Sequence, residues 1–281
     1  MFILEIIKAI ILGIVEGITE WLPISSTGHM ILFDEFLHLK VSPMFLELFL
    51  VVIQLGAILA VPILFFDKLY PLSKKKSKEE NLAIWNVWGK VIVGAIPAAI
   101  LGVLLDDLLD KYLYNYVVVA IALIAYGIAF IFVEKNRAEK ECRINTVQEL
   151  SYKDALKIGA FQCLSLVPGT SRSGSTILGG MLTGVSRTAS AEFSFFMAMP
   201  IMVGASGLKI LKFILEGFTA SGGEIALLLI GLVVSFVVSL FVIKFLVDFV
   251  KRHDFKIFGY YRIGLGALVL IYFIIKTIVV G

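Results

Sequence analysis

The chain has 281 residues, of which 59% are apolar or aromatic and 17% charged, and its 25 basic and 22 acidic side chains leave a formal net charge of +3. A soluble domain carries about 45–50% apolar and about a quarter charged residues, so an excess of this size has no interior to hide in and its solvent must be lipid. That excludes a cytosolic globular enzyme and a disordered or fibrous chain, and the continuous rather than alternating apolar runs exclude a transmembrane barrel.

The first apolar stretch, about 2–32, already contains Glu5, Lys8, Glu16 and Glu20. It lacks a basic leader followed by a small-residue cleavage site, so no cleaved signal peptide is expected. Its middle is interrupted by Pro23-Ile24-Ser25-Ser26-Thr27-Gly28. Three uninterrupted apolar segments follow at roughly 44–66, 85–105 and 115–133, each near the ~20 residues that cross a bilayer as a helix. A second interrupted stretch, about 157–185, holds Pro168-Gly169-Thr170-Ser171-Arg172-Ser173-Gly174-Ser175-Thr176, and spans at 190–212, 224–247 and 259–280 complete the chain. Irregular backbone at membrane depth is tolerated only where protein or a watery cavity satisfies its polar groups. The expected fold is therefore an all-α polytopic membrane protein: six transmembrane helices plus two re-entrant or broken helical hairpins, in one integral membrane domain spanning 1–281.

Basic residues set the expected topology. The 67–84 segment carries Lys68, Lys74, Lys75, Lys76 and Lys78; 134–157 carries Lys135, Arg137, Lys140, Arg143, Lys153 and Lys157; 248–258 carries Lys251, Arg252 and Lys256. The connections 106–114 and 213–223 hold Asp106, Asp107, Asp110 and Glu216 against Lys111. With the basic segments cytoplasmic, both termini fall outside. A shift of 146 residues lays Gly13, Ser25, Gly28, Ile31 and Leu32 on Gly159, Ser171, Gly174, Ile177 and Leu178, and Glu16 on Gln162. Each half is one broken segment followed by three spans, which predicts an inverted repeat of 1–134 and 150–281, with a site where the broken segments meet.

Ionisable groups inside apolar segments are functional candidates. Glu16 and Glu20 lie four apart, on one helical face, and their repulsion in a low dielectric is relieved by a divalent cation or a basic partner. Ser25 and Thr27 read equally well as helix caps. Ser26 followed three residues later by His29, with Glu20 nearby, reads as an activated nucleophile or an acid/base pair. His38 and His253 read as loop residues, and Cys142 and Cys163 fit neither a disulfide framework nor a metal site. Arg172, among Ser171, Ser173, Ser175 and Thr176, combines bidentate phosphate recognition with a Gly/Ser-rich helix start suited to anions. Together these groups equip a membrane site for phosphoryl transfer. No nucleic-acid partner is expected.

The two motifs, Glu16-Gly-Ile-Thr-Glu20-Trp-Leu-Pro-Ile-Ser-Ser-Thr-Gly-His29 and Pro168-Gly-Thr-Ser-Arg-Ser-Gly-Ser-Thr176, resemble the signatures of the bacterial undecaprenyl pyrophosphate phosphatase family of the bacitracin-resistance type. So do Val52-Ile53-Gln54-Leu55-Gly56, Ile96-Pro97-Ala98-Ala99, Gly184-Val185-Ser186-Arg187 and Ala191-Glu192-Phe193-Ser194-Phe195. The resemblance implies a multi-pass protein of the bacterial plasma membrane that hydrolyses undecaprenyl pyrophosphate to the monophosphate and phosphate. The reaction recycles the lipid carrier of cell-wall synthesis and confers bacitracin resistance, with the site opening on the extracytoplasmic side. It implies a divalent cation, Mg2+ or Ca2+, on Glu16 and Glu20. Glu20, Ser26, His29 and Arg172 become catalytic, and Ser171, Arg172, Ser173 and Thr176 bind phosphate. Where the family often carries an acid four residues before the glutamine matching Gln54, this chain has Leu50, with Glu47 one turn earlier, so Glu47 is left out of the catalytic set. Membrane lipid is the expected surrounding partner, and a homodimer is compatible with the reading. The alternatives are a transporter or flippase of polyprenyl phosphate lipids on the same repeat, which needs anion recognition without a nucleophile, and a simple binder of lipid pyrophosphate.

Overall fold

Serines mark the helix starts. Ser25, Ser42, Ser77, Ser151, Ser171, Ser186 and Ser221 each accept a hydrogen bond from the backbone N–H three residues on. Such caps satisfy donors that a helix start leaves orphaned. At Ser77, Ser151 and Ser221 an acid at the third helical position returns the bond, completing a capping box.

The computed structural model describes residues 2–137, 142–217 and 219–280, with the side chains of 34–36, 106, 107, 110 and 280 left aside. Lys140 lies outside the described residues, as do the side chains of Asp106, Asp107 and Asp110 that entered the charge count. In chain order the helices are α1 (Phe2–Thr19), α2 (Ser26–Phe36), α3 (Pro43–Ile58), α4 (Ala60–Leu64), α5 (Phe66–Leu69), α6 (Lys78–Leu113), α7 (Tyr116–Arg137), α8 (Tyr152–Gln162), α9 (Arg172–Leu182), α10 (Arg187–Leu215), α11 (Gly222–Val250) and α12 (Lys256–Val280). Among the described residues, six stretches are long and apolar enough to cross a membrane: Pro43–Leu64, Lys78–Leu105, Tyr116–Arg137, Arg187–Leu215, Gly222–Val250 and Lys256–Val279. The two interrupted segments are broken helices, α1 with α2 and α8 with α9, as their Pro, Gly and Ser content requires.

One boundary differs from the sequence expectation. Residues 106–114 read as a connection, yet α6 continues to Leu113. No Gly or Pro interrupts that end of the helix, and chain direction changes only at Tyr114 and Asn115, where the Asn115 side chain accepts from Val118 N–H at 3.0 Å. Pro97 sits inside α6 without ending it, as neighbouring groups permit in membrane helices.

The long helices pack in a reciprocal pattern. The first broken segment lies along α11 through α1, the second lies along α6 through α8, α7 lies along α12, and α3 meets both α10 and α11. The core is aromatic: Trp21, Phe65, Phe130, Phe193, Phe195, Phe196 and Phe255 are buried in one cluster, while Phe45 and Phe49 anchor a second beside α1. Large side chains such as Ile3, Val103, Leu104, Phe241 and Ile278 point outward, as expected where the surrounding solvent is lipid.

Ion pairs gather at the helix ends that flank the basic segments. The fully buried Glu134 accepts from Arg187 Nε at 2.8 Å and from Phe255 N–H at 2.9 Å. Lys68 pairs with Glu192 at 2.7 Å, Arg143 with Asp154 at 2.6 Å, and the buried Lys90 donates to the Gln148 carbonyl at 2.9 Å. Removing one partner of a buried pair strands the other, which typically costs about 3–5 kcal/mol.

Glycine permits the closest approach. A Cβ on Gly127 would lie 2.7 Å from the Gly259 carbonyl oxygen, and one on Gly259 would lie 2.7 Å from that of Gly127. Gly127→Val should therefore force α7 and α12 apart and lower the thermal midpoint of the detergent-solubilised protein. Gly204→Ala, at a position with nothing within 4 Å of the added carbon, should leave the midpoint unchanged or slightly raised, since alanine is the better helix former. Equal midpoints for the two variants, followed by circular dichroism, would refute this packing.

Candidate active site

Two strained serines define the site. Ser25 (φ 73°) and Ser171 (φ 72°) are the only non-glycine residues with positive φ among the described residues. That conformation costs an L-residue about 1–2 kcal/mol and persists where surrounding contacts over-determine it. Each serine caps the helix it starts: Ser25 Oγ accepts from Gly28 N–H at 3.3 Å, and Ser171 Oγ from Gly174 N–H at 3.1 Å. The turns thus deliver Ser26 and Arg172 as the first residues of α2 and α9.

Arg262 of α12 fastens the turns together. Its fully buried guanidinium donates to the carbonyls of Pro23 at 3.0 Å, of Gly169 and Thr170 at 2.9 Å each, and of Leu123 at 3.4 Å, and it lies 5.4 Å from the Tyr126 ring centre. Carbonyls freed by broken helices need donors when no water reaches them, and one fork-shaped side chain serves both breaks. Ser173 Oγ adds a direct tie, lying 3.1 Å from the Glu20 carbonyl and 3.3 Å from that of Leu22.

Glu20, Ser26 and Arg172 meet between these turns. Arg172 Nη2 bonds Glu20 Oε1 at 2.8 Å, and Ser26 Oγ donates to Glu20 Oε2 at 3.3 Å. Arg172 Nη1 donates to the Ser194 carbonyl at 2.8 Å, and the guanidinium lies 5.7 Å from the Trp21 ring centre, so its plane is held on several sides. Thr176 Oγ1 and Ser194 Oγ are 2.6 Å apart. Three polar atoms at this centre lack a hydrogen-bond partner among the described residues: Glu16 Oε1, on a residue 2% exposed, Arg172 Nε, and Nε1 of the Trp21 indole beside it. A buried polar atom left unpaired is destabilising by about 1–3 kcal/mol, and Glu16 Oε1 and Arg172 Nε, on the two charged side chains, are the ones an anion with its counter-cation would satisfy.

Each residue singled out in the sequence can now be placed. Glu16, Glu20, Ser26 and Arg172 converge, with Glu16 in electrostatic reach of both Glu20 and Arg172. Ser171, Ser173 and Thr176 surround Arg172, but their hydroxyls are engaged within the protein. The expected Ser26–His29 contact is not formed. His29 Nδ1 reaches back one helical turn to the Ser25 carbonyl at 2.7 Å, its Nε2 meets Tyr261 Oη at 2.7 Å, and Ser26 turns to Glu20 instead. Glu47 stands apart from this cluster, lining a cavity of about 530 Å³ with Gln54, Tyr114, Ser206 and Lys209. Sequence reasoning missed Tyr261, Arg262 and the part played by Ser194; an arginine inside an apolar span was the available signal for Arg262.

A cation can be tested against these donors. No cluster of three or more His, Cys, Asp or Glu capable of holding a metal forms among the described residues. Glu16, with its unpaired oxygen, and Glu20 offer hard oxygen donors that suit a Mg2+-like ion, which commonly takes one or two carboxylates and completes its shell with waters and substrate phosphate. The residues fit such an ion.

The family model described as bacitracin resistance protein BacA matches residues 9–268. An undecaprenyl-diphosphatase of Streptococcus gordonii is 55% identical over 279 residues, covering 99% of each chain. Enzymes of the same name are 54% identical over 270 residues in Enterococcus faecalis (95% of this chain, 97% of the relative) and 55% identical over 271 residues in Acetivibrio thermocellus (96% and 98%).

If Arg262 holds the breaks together, Arg262→Lys should fail to replace it, because an ammonium cannot span four carbonyl positions in one plane. The expected result is a lower thermal midpoint together with lost activity. A lysine variant with unchanged midpoint and unchanged turnover would show that the arginine does not brace the site.

Proposed function

We propose the following mechanism from the premise that this chain belongs to the bacitracin resistance protein BacA family. The protein is a multi-pass membrane phosphatase that hydrolyses undecaprenyl diphosphate to undecaprenyl phosphate and inorganic phosphate. The observation that carries the mechanism is the meeting of Glu20, Ser26 and Arg172 between the two helix breaks, with Glu16 Oε1 and Arg172 Nε left without protein partners.

Arg172 holds the terminal phosphate. Its Nε–H is free to donate to a phosphate oxygen, and its fixed charge offsets the negative charge that develops as the anhydride bond breaks. The N-terminus of α9 presents backbone N–H groups to the same anion. Ser26 Oγ attacks the terminal phosphorus while its proton passes to Glu20 Oε2, the acceptor it already contacts. The bond between that phosphorus and the bridging oxygen breaks, and undecaprenyl phosphate leaves with the electron pair. Water then cleaves the phosphoserine, giving inorganic phosphate and restoring the hydroxyl. His29 is the less supported nucleophile, because Tyr261 already occupies its Nε2. Glu16 and Glu20 would hold the divalent cation, which when bound supplies Lewis-acid neutralisation of the phosphate charge.

The halves 1–134 and 150–281 form an inverted repeat in this reading, supported by the reciprocal packing of α1 on α11 and α8 on α6 and by the paired strained serines 146 residues apart. The basic segments face the cytoplasm of a bacterial plasma membrane, and the active site opens on the extracytoplasmic side in this reading.

Phosphate release from undecaprenyl diphosphate by the purified protein in detergent tests the chemistry. Removing one preorganised oxyanion donor typically costs about 10²–10³ in turnover, and Arg172→Lys should approach that loss because it keeps charge without the fork. Ser26→Ala should be at least as poor, and EDTA should stop the reaction. An acid-stable phosphoenzyme marks serine, and an acid-labile one would transfer the attack to His29. Near-normal hydrolysis by both Ser26→Ala and Arg172→Ala would defeat the mechanism and favour lipid transport.

For the orientation, a cysteine placed at Lys76 should resist an impermeant thiol reagent in whole cells and react after permeabilisation. Labelling without permeabilisation would invert the topology.

A further inference from the structure

His29 has no free nitrogen, and both of its bonds lead away from the phosphate chemistry. A carbonyl oxygen can only accept, so the 2.7 Å contact with the Ser25 carbonyl assigns a proton to Nδ1. Nε2 of the neutral ring is then an acceptor, and the hydroxyl 2.7 Å away, Tyr261 Oη, donates to it. The two rings are nearly parallel, 7° apart in plane, with centres 5.7 Å apart. His29 is itself 93% buried, so little else competes for either nitrogen.

The residue at the other end of this chain of bonds is the strained one. Ser25 sits at φ 73°, and the carbonyl that His29 grips belongs to the peptide leading into Ser26. Left-handed backbone in a serine needs outside restraint, and His29 supplies it from one turn further along α2. Tyr261 in turn fixes His29 from α12, one residue before Arg262, which holds the carbonyl of Pro23 on the other side of the same turn. Two adjacent residues of the last span therefore grip the Ser25 turn at two points.

We propose that Tyr261 is a positioning residue: its hydroxyl locks His29 as the Nδ1–H tautomer, and through the Ser25 carbonyl that lock aims Ser26 Oγ. The inference rests on the phosphatase reading for its effect on rate, but the hydrogen-bond chain itself can be examined without turnover. It gives His29 a restraining role in which Nε2 is an occupied acceptor throughout rather than an attacking atom.

Tyr261→Phe removes the hydroxyl and keeps the ring, so folding is spared. The net loss of one hydrogen bond corresponds to about a threefold to tenfold change, and it should appear in kcat with KM nearly unchanged, since substrate binding by Arg172 is untouched. Tyr260→Phe, at the exposed neighbouring tyrosine, should behave as the parent protein. The direct readout is nitrogen NMR of histidine-labelled protein in detergent at alkaline pH. The chain has three histidines, His29, His38 and His253, and His29→Asn assigns the signal. In the parent, His29 Nδ1 should be protonated and Nε2 shifted by an accepted hydrogen bond; in Tyr261→Phe, Nε2 should move toward a free pyridine-type nitrogen. An unchanged His29 signal in that variant overturns the inference whether or not the protein hydrolyses lipid. So does a kcat that stays level or rises, the result expected if freeing Nε2 exposes a nucleophile. A parent protein with the expected histidine signals and no phosphate release would instead sink the phosphatase reading and leave the restraint standing.

Discussion

Everything at the centre of this protein follows from one demand of the bilayer: backbone groups released by a broken helix must find partners inside the protein. Two helices break here, at Glu20–Ser25 and at Val167–Ser171, and each break frees carbonyls that face the protein interior. Arg262 answers for both, with donors to Pro23, Gly169 and Thr170 and no exposed surface of its own. Its partners are carbonyl dipoles, so its positive charge is solvated without being cancelled by a carboxylate. A cation so held also makes the neighbourhood favourable to an anion, as the proposed site requires.

The Glu20–Arg172 pair is a different case. A buried ion pair is weak support for stability, since desolvation consumes much of the Coulombic gain. Its geometry is better understood as preorganisation. Glu20 is shared between Arg172 and Ser26, and Arg172 is shared between Glu20, Ser194 and the face of Trp21. Each reactive group is thereby held by bonds that do not involve substrate, which is what allows fixed dipoles and charges to act without reorganising during reaction. The unpaired Glu16 Oε1 and Arg172 Nε are the complementary feature: the fold tolerates unsatisfied atoms on charged side chains where a ligand can satisfy them.

Much of this was legible in the sequence, for physical reasons that differ by element. The spans were readable because continuous apolar runs of bilayer length have few other uses, and the breaks because Pro, Gly, Ser and Thr cluster there, whereas the isolated Pro97 leaves α6 unbroken. The serine caps were readable in principle at Ser77, Ser151 and Ser221, where an acid follows three residues on. The end of α6 was misread because acidic residues suggested a loop, whereas helix continuity depends on the absence of a breaker. Ser26 and His29 were paired by spacing alone, and spacing could not reveal that the Ser25 carbonyl and a tyrosine more than 230 residues away would claim both imidazole nitrogens. Arg262 carried a signal, a charge within an apolar segment, but its several carbonyl partners belong to three distant parts of the chain and become visible only in three dimensions.

The two breaks share a frame but divide the chemistry. In the 146-residue register, Ser25 matches Ser171 and Gly28 matches Gly174, the residues that make each capped, strained turn. The same register places Ser26 opposite Arg172, Glu20 opposite Leu166, Glu16 opposite Gln162 and His29 opposite Ser175. Positions that shape backbone are thus alike, whereas positions whose side chains meet between the turns differ in charge. That division has an electrostatic logic. Two copies of the acidic half would crowd four carboxylates into a low dielectric, and two copies of the basic half would offer an anion trap with no base. An acid-bearing turn against an arginine-bearing turn neutralises charge across the interface, and in the proposed mechanism it leaves the nucleophile on one side and the phosphate clamp on the other.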